Sequence, residues 1–506
     1  MSVVVSELED ASWHRLSPRM LLIHPVIEIG RALPALVGVF LAGSAQGNGA
    51  YWSLIGAGVV AVLSLSRWFT TRLRVTPVQV QLRHGLLRRR TITTARDRIR
   101  TVDVTSHLLH RMLGLTRVVV GTGTNDRKGA GRIVLDGLTI QAANTLRDDL
   151  LHRSTVDVTK PASSADSGPL PLVELDRRWI RYAPFTLSGV VTGLVIYGFF
   201  WRIQGESGVN LTRRGPFRAV ADALDRMQTT AAVLVVLGAL IVFVAVTSTI
   251  GYILAFWNFR ILRHAGGTLQ VTRGLITTRA TSIERRRLVG TQISEALLLR
   301  SVGAARTLAI ATGLRVGRGS ERGGEVLLPP APRAESERVA ALVLDGTPAV
   351  TATLRAHSAN ARRRHLTRAI ASALIILAGS LLIWLAGASV WFLVIGGAVL
   401  VISVPVGLDR YRSLGHALVD GYLVTRFGSL VRRRAVLGCT AVIGWNMKST
   451  FFQRRLGLTT LTATTAAGRQ GYSVWDIDPH DGLALADAVT PGLLSPFRRE
   501  PPATSR

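Results

Sequence analysis

The sequence predicts a membrane α-helical protein with six transmembrane helices, arranged as three hairpins, plus three cytoplasmic β-rich modules, each capped by a C-terminal helix. Two observations support this fold class. The apolar residues are concentrated in a few long blocks without charges, and the segment after each pair of blocks repeats one pattern. The composition agrees, because 48% of the 506 residues are hydrophobic and the mean hydropathy is +0.31, above the usual range of soluble chains.

The strongest apolar block runs from Ile370 to Leu408 without one charged residue. A bilayer core of roughly 30 Å needs about 20 residues of helix, so this block is long enough for two spans. The small residues from Ala386 to Ser389 lie near its middle, where a tight turn fits. The other predicted spans are 26–45 with 51–69, and 182–201 with 230–257.

Arginines near the ends of the spans predict the orientation of the chain. They lie mainly on the side of the long segments, whereas two of the three loops on the opposite side carry no charge. The positive-inside rule therefore predicts that both termini and all large segments are cytoplasmic. The exception is the connection 202–229, which carries both signs of charge and which we interpret as an amphipathic helix on the outer surface.

The segments that follow the three hairpins repeat one another. Each contains an anchor glycine, then an alternating apolar stretch, then a second glycine at the same distance from the first. We interpret these glycines as positions of positive φ in tight turns between strands. A repeat of this length and spacing predicts three copies of one structural unit. The glycine pairs are Gly85 and Gly114, Gly274 and Gly303, and Gly428 and Gly457.

Each copy is rich in predicted strands and ends in a predicted helix, at 140–152, 334–344 and 482–489. Short strands closed by one C-terminal helix fit the plan of the pleckstrin-homology (PH) fold. Together with the hairpins, the motifs HRLSPRMLLIHP, LRVTPVQVQLRHGLL, RIRTVDV and RMLGLTRVVV resemble the YdbS/YdbT-like bacterial membrane proteins, which carry bacterial PH-like domains. The third copy departs most, with Cys439-Thr440-Ala441 in place of Arg96-Asp97-Arg98. The resemblance implies a fold and a bacterial plasma-membrane location, and it supplies no functional residues.

These patterns divide the chain into segments. They are an N-terminal cytoplasmic segment (1–25), hairpin 1 (26–69), PH-like module 1 (70–153), a flexible linker (154–171), hairpin 2 (182–257), PH-like module 2 (258–346), hairpin 3 (369–408), PH-like module 3 (409–490) and a disordered tail (491–506).

The net charge of +30 comes almost wholly from arginine. Such a balance is typical of proteins that bind nucleic acid or face an anionic membrane leaflet. Nucleic-acid binding would need exposed aromatic residues among the basic ones, whereas the tryptophans mostly lie at the edges of the apolar blocks, so we predict no nucleic-acid partner. Three arginine clusters are the candidate sites for anionic lipid or an acidic partner, although a generally basic cytoplasmic face explains them equally well: Arg88-Arg89-Arg90, Arg285-Arg286-Arg287 and Arg432-Arg433-Arg434.

We identify no catalytic or metal-binding motif in the sequence. Cys439 is the only cysteine, the histidines lack the spacing of metal ligands, and no nucleophile or phosphate-loop motif occurs. The sequence therefore predicts a protein without cofactor, metal or enzymatic activity, namely a membrane scaffold whose modules bind lipid, a membrane-protein partner or further copies of the chain. The alternative is a component of a transport or export system, for example for membrane-active peptides. An enzyme acting at the membrane surface is a third option.

Overall fold

The computed structural model describes residues 13–15, 17–44, 48–76, 78–85, 90–96, 99, 101–121, 132–152, 170–186, 195, 198, 222–223, 226–264, 267–314 and 325–493. They divide into two compact units, Met1–Arg285 and Arg286–Arg506. The described parts of each unit have their own sheets and apolar clusters.

Four helices in the described part of the chain are long and apolar enough to cross a membrane: α2 (Gly49–Thr70), α5 (Thr229–Phe256), α8 (Ala359–Leu385) and α9 (Trp391–Arg412). They correspond to two of the separately predicted spans, 51–69 and 230–257, and to the predicted block of hairpin 3. The predicted span 26–45 lies in helix α1 (Met20–Ser44), which contacts α2 but is not among these four.

The predicted span 182–201 falls mostly outside the described residues. Its first residues differ from the prediction, because Arg177–Phe185 forms a 3-10 helix in which Trp179, Tyr182 and Ala183 are buried. The predicted amphipathic helix in 202–229 also lies almost entirely outside the described residues.

Hairpin 3 shows how the small residues in an apolar helix are used. The helices α8 and α9 are joined at Ala386–Val390, where Gly387 has a φ of 94°. A Cβ atom at Gly396 would lie only 2.9 Å from Ser380 Oγ, and one at Gly407 only 3.1 Å from the Ala369 Cβ. Glycine therefore lets the two antiparallel helices approach closely, as small residues do in membrane helix pairs.

Module 1 consists of two antiparallel sheets and a capping helix. Its core joins both sheets to the capping helix through buried residues such as Leu82, Val120 and Leu146. The first sheet contains β1 (His14–Arg15), β2 (Arg72–Val75), β3 (Gln79–His84) and β4 (Arg90–Ala95). The second contains β5 (Thr101–Ser106), β6 (Leu115–Gly121) and β7 (Arg132–Thr139). Helix α3 (Leu108–Met112) lies between β5 and β6, and α4 (Ile140–His152) is the capping helix.

Module 2 repeats this order of elements. Its first sheet lies in the first unit and contains β8 (Leu170–Glu174), β9 (Arg260–Arg263), β10 (Leu269–Arg273) and β11 (Thr278–Ile283). Its second sheet lies in the second unit and contains β12 (Leu288–Ala296), β13 (Ala304–Ala311) and β14 (Val326–Pro332), with helices α6 (Leu297–Ser301) and α7 (Arg333–Val343).

Module 3 closes the described chain with the same order. Its first sheet contains β15 (Gly415–Val419), β16 (Tyr422–Phe427) and β17 (Val431–Gly438), and its second contains β18 (Gly444–Lys448), β19 (Thr459–Thr464) and β20 (Gly471–Ile477). Helix α10 (Phe451–Arg455) lies between β18 and β19, and α11 (Pro479–Val489) is the capping helix.

The sheets of successive modules are joined edge to edge. Strand β5 of module 1 pairs with β11 of module 2, which produces a seven-stranded sheet in the first unit. Strand β12 of module 2 pairs with β17 of module 3, which produces a six-stranded sheet in the second unit. We call these two pairings the inter-module junctions.

The apolar helices are inserted into the first sheet of each module. In module 1, β1 precedes α1 and α2, and it pairs with β2, which follows them. In module 2, β8 precedes α5 and pairs with β9 after it. In module 3, Arg355 precedes α8 and forms a bridge with His416 after α9. The predicted linker 154–171 therefore ends too late, because Leu170 and Pro171 belong to β8, and the predicted segment 1–25 already contains β1 and the start of α1.

All six repeat glycines have positive φ, between 63° and 119°. Gly85, Gly274 and Gly428 directly follow the equivalent strands β3, β10 and β16, and a side chain at Gly274 or Gly428 would collide with the backbone. Gly114, Gly303 and Gly457 occupy a different place from the expected strand-to-strand turn. Each follows the short helix α3, α6 or α10 and ends it.

Candidate functional site

Each module carries a short helix of five residues inside its second sheet, namely α3, α6 or α10. Only the third residue of each is buried: His110, Leu299 and Gln453 are 1 to 3% exposed. In α10, Thr450 and Gln453 form a capping box that fixes the start of the helix. The buried third residue and the following glycine hold the first two residues in a defined position.

Those first two residues are large, apolar and exposed in all three helices. Phe452, for example, has 71% of its surface exposed. An arginine follows two residues later in each case, at Arg111, Arg300 and Arg454. Exposed adjacent apolar residues are costly in water, so a triple occurrence at equivalent positions indicates a surface that contacts something apolar. The three apolar pairs are Leu108-Leu109, Leu297-Leu298 and Phe451-Phe452.

The short helices lie at the ends of the apolar helices. Arg19, just before α1, donates a hydrogen bond from Nη1 to the Leu113 carbonyl oxygen at 3.2 Å. Asn360, in the first turn of α8, donates from Nδ2 to the equivalent Leu456 carbonyl oxygen at 3.1 Å. In module 2, Arg300 of α6 lies 3.1 Å from Asp409, near the end of α9.

The anchor turns contribute further exposed apolar residues at the same helix ends. Leu275 follows the anchor glycine of module 2 and donates its backbone N–H to the Leu254 carbonyl oxygen of α5 at 3.0 Å. Leu430 follows the anchor glycine of module 3, and its carbonyl oxygen accepts from Leu297 N at 2.7 Å. Leu275, Ile276 and Leu430 are all exposed. Short helices and anchor turns together form the surface that we call the apolar rim of each unit.

The predicted arginine clusters have three different settings. Arg88 and Arg89 lie outside the described residues, and Arg90 begins β4. Arg285, Arg286 and Arg287 form one 3-10 turn between β11 and β12. In the third cluster, Arg432 donates to Asp409 Oδ1 at 3.2 Å, and Arg434 donates to the carbonyl oxygens of Ala349 and Ala352.

Two arginines of the third cluster, Arg432 and Arg434, therefore bind groups of the protein itself. Burial, followed by the charge of Arg426, lowers the pKa of Arg434 to about 10. Glu295, only 6% exposed, pairs across the junction with Arg432 and lies 3.4 Å from Arg333 Nε. Binding of lipid or of an acidic partner by the three clusters stays a prediction.

A buried polar cluster lies where α8 meets module 3. Asp476 in β20 is fully buried and has a φ of 57°, which is uncommon for a residue other than glycine. Its carboxylate accepts from Arg364 Nη1 at 2.6 Å and from Gln453 Nε2 at 2.6 Å, and it lies 2.9 Å from His365 Nε2. Asp476 thus ties the first turns of α8 to the short helix α10.

A histidine pair lies beside this carboxylate. His357 Nδ1 is 3.2 Å from the Asp476 carbonyl oxygen, and His357 Nε2 is 3.1 Å from His416 Nδ1. Burial, followed by the charge of His357, lowers the pKa of His416 to about 4, and burial lowers the pKa of His357. Burial alone would raise the pKa of Asp476, but the contacts with His365, Gln453 and Arg364 outweigh it and lower that pKa. The arrangement therefore favours a charged Asp476 and neutral His357 and His416.

No three His, Cys, Asp or Glu side chains in the described part of the chain are arranged to hold a metal ion. The cluster around Asp476 has the form of a structural ion pair. It fixes the base of hairpin 3 by joining α8, α10 and β20 through charge-assisted hydrogen bonds.

Sequence reasoning missed both the apolar pairs and the Asp476 cluster. The pairs had a visible signal, because each lies at the same distance before the second glycine of its module. The Asp476 cluster had none, since its members Arg364, Gln453 and Asp476 are far apart in the chain and only the fold brings them together.

Comparison with known proteins agrees with the repeat. The model of the bacterial PH domain family matches residues 26–154, 217–347 and 372–491, which together make up more than half of the chain. No curated protein and no solved structure matches. The prediction of three PH-like modules is confirmed, and the narrower resemblance to YdbS/YdbT-like proteins stays a prediction. Three matches, one for each module, identify the chain as a member of the bacterial PH domain family.

Proposed function

We propose that this protein is a multi-pass membrane scaffold whose PH-like modules bind the anionic inner leaflet through their apolar rims. The observation that carries the proposal is the exposed apolar pair, followed by an arginine, at the same place in all three modules. Apolar side chains bind at the headgroup boundary by burying surface, and each nearby basic residue adds on the order of 1 kcal/mol at an anionic leaflet.

The contacts at the helix ends support this orientation. Arg19 and Asn360 connect the starts of α1 and α8 to the short helices of modules 1 and 3. A short helix held at the end of a membrane span lies at the depth of the lipid headgroups, where apolar side chains can enter the bilayer and arginine can reach phosphate.

The proposal includes six spans in three hairpins, with both termini and all three modules in the cytoplasm. Four helices of suitable length and hydropathy support it, as does the position of arginine at their module-side ends, for example Arg410 and Arg412 in α9. The proposed role is binding rather than catalysis, and the buried carboxylates Glu295 and Asp476 support it because each pairs with an arginine of the same unit.

The test measures where the short helices lie relative to the bilayer. Spin labels are attached to single cysteines at Met112, Leu298 and Phe452 of the full chain with Cys439→Ala, and the protein is reconstituted in vesicles with and without anionic lipid. We expect each label to be more accessible to oxygen, which partitions into lipid, than to a water-soluble nickel reagent.

Leu483 on the capping helix α11 is the matched control, because it is apolar and exposed but lies outside the short helices and anchor turns that form the apolar rim. A label there should be accessible mainly to the nickel reagent. If the labels at Met112, Leu298 and Phe452 behave like the one at Leu483, the modules do not contact the membrane through the apolar rims.

A further inference from the structure

The two inter-module junctions use one register of strand pairing. In the first, Thr278 lies four positions after its anchor glycine and pairs with Ser106, which lies 21 positions after the preceding anchor glycine. In the second, Arg432 and Glu295 occupy the same two positions and pair with each other. The junction is therefore a property of the module, because it recurs with different side chains in the same register.

Two strands occupy the positions of junction strands in their modules but pair with no strand of another module among the described residues. Strand β4 is the module 1 equivalent of β11 and β17, and it pairs only with β3. Strand β18 is the module 3 equivalent of β5 and β12, and it pairs only with β19. In each junction, a strand of the β11 and β17 type pairs with a strand of the β5 and β12 type. The edges of β4 and β18 are one of each type, so they can pair with each other in the same way.

The exposure of β18 differs from that of its equivalents. Met447 is 42% exposed, whereas the residues at the same position in modules 1 and 2, Val104 and Ile293, are 9% and 3% exposed. Ile443, just before β18, is exposed as well. An unpaired strand edge with exposed apolar side chains is a template for pairing with another strand.

We propose that β18 of one copy of this chain pairs antiparallel with β4 of a second copy, in the register of the inter-module junctions. This pairing adds a contact between proteins to the membrane binding proposed above and does not depend on it. The predicted partners are Thr94 with Gly444, Thr93 with Trp445, Ile92 with Asn446, Thr91 with Met447 and Arg90 with Lys448.

A second copy is the occupant that the chain itself specifies. Both strands have the required length, and every residue from Arg90 to Thr94 finds a partner between Gly444 and Lys448. Since the two edges differ, the contact is heterologous, and it produces rows of molecules or closed rings in the plane of the membrane.

One position makes this contact weaker than the junctions within the chain. The junctions place Arg279 opposite Thr105 and Arg433 opposite Ser294, whereas the proposed contact places Arg90 opposite Lys448. Like charges directly opposite each other weaken a strand pair. The contact between copies is therefore reversible, and Lys448 sets its strength.

The test is a disulfide that can form only between copies. Two full-length chains with different tags and Cys439→Ala are expressed together, one with Thr91→Cys and the other with Met447→Cys. Directly opposed residues in antiparallel strands have Cα atoms about 4.5–5.5 Å apart, within reach of a disulfide. We expect mild oxidation of native membranes to yield dimers that carry both tags.

Two controls make the result decisive. The chain with Ser106→Cys and Thr278→Cys should form a disulfide within itself, which verifies the junction geometry and the fold. The pair Thr93→Cys with Met447→Cys is out of register by two residues, at about 7–8 Å, and should give a much lower yield. The proposal is wrong if mixed dimers are absent while the internal disulfide forms, or if both registers react equally. It is also wrong if a chain with both Thr91→Cys and Met447→Cys forms the disulfide only within one molecule and yields no dimers.

A charge variant tests the register in a second way. Lys448→Thr restores the residue type found opposite Arg279, so we expect self-association about twofold to fivefold tighter, measured by energy transfer between labelled chains in vesicles. Lys448→Glu should tighten it at least as much. No change, or weaker association, in both variants would contradict the pairing of Arg90 with Lys448.

Discussion

The two units contain the same kind of junction but use different chemistry at the same backbone positions. In the first unit, Ser106 faces Thr278 across the junction. In the second unit, Glu295 faces Arg432. The register is identical, so the backbone ladder and the module fold determine how the sheets join. Side chains at the junction can therefore differ, provided that every buried charge has a partner.

The bases of modules 1 and 3 differ in the same way. In module 1, Gly137 with a φ of 86° lies against Met20, and a Cβ there would be 3.3 Å from the Met20 side chain. In module 3, Asp476 with a φ of 57° binds Arg364. In the first unit, a glycine with an apolar contact joins the second sheet to the start of α1. In the second unit, a buried ion pair joins the second sheet to the start of α8.

The largest expected effect comes from breaking that ion pair. Asp476→Asn keeps the shape and tolerates positive φ but leaves Arg364 and His365 without a counter-charge, so we expect module 3 to lose about 3 kcal/mol of stability. Asp476→Ala should lose about 1 kcal/mol more, because alanine is strained at this φ. Hydrogen exchange of β19 and β20 measures both.

Module 1 supplies the matched control for this prediction. Gly137→Ala tests the strained backbone without any charge and should cost about 1–2 kcal/mol, measured by hydrogen exchange of β6 and β7. If Asp476→Asn exchanges at the wild-type rate, the buried ion pair makes no net contribution to module 3.

The next effect concerns the charged junction. Glu295→Ala removes a buried counter-charge of Arg333 and Arg432, so we expect a loss of about 3 kcal/mol or somewhat less in hydrogen exchange of β12 and β17. Ser106→Ala, at the equivalent position of the first junction, should change exchange of β5 and β11 by less than about 0.5 kcal/mol. Equal effects at the two positions would show that the charged pair Glu295–Arg432 contributes no more than the uncharged pair Ser106–Thr278.

The smallest of the three effects depends on pH. The pKa of His416 is lowered to about 4 in the folded chain, so below the ordinary value of 6.5 the unfolded chain binds a proton that the folded chain does not. Module 3 should therefore lose about 2–3 kcal/mol as the pH falls from 6.5 towards 4, and the lowered pKa of His357 acts in the same direction.

A variant identifies the group responsible for this pH dependence. His416→Gln should flatten the pH dependence of thermal unfolding by about one proton in this range. The second sheet of module 2 contains no histidine in its described residues, so exchange of β13 should lack this loss at low pH. An unchanged slope in His416→Gln would assign the effect to other groups.

Local patterns predicted much of this fold from the sequence. The uncharged block from Ile370 to Leu408 indicated hairpin 3, and the turn after α8 lies at Ala386, where the small residues predicted it. The glycine repeat indicated three modules, and the capping helix 140–152 has the predicted bounds. Hydrophobic blocks, glycines and a terminal amphipathic helix are encoded within a few residues of each other, so they can be predicted without the fold.

The features that escaped prediction depend on contacts between distant residues. Strand β1 has only two residues and is defined by its pairing with β2, beyond a whole helical hairpin. Arg434 resembled a surface cation, whereas its guanidinium is buried against Ala349 and Ala352. No local sequence pattern predicts the pairing of β5 with β11, because the side chains of these strands resemble those of an ordinary half-buried strand.

The insertion of apolar helices between the first and second strands of each module has a consequence for biosynthesis. Strand β1 leaves the ribosome before α1 and α2, but its partner β2 follows them. The first sheet of module 1 can therefore close only after both helices have been synthesised, and a hairpin in which only one of the two helices crosses the bilayer would leave β1 and β2 on opposite sides of it. In the proposed topology, closure of this sheet therefore reports that both ends of the hairpin lie on one side of the bilayer, and chains that fail would expose unpaired strands to quality-control proteases.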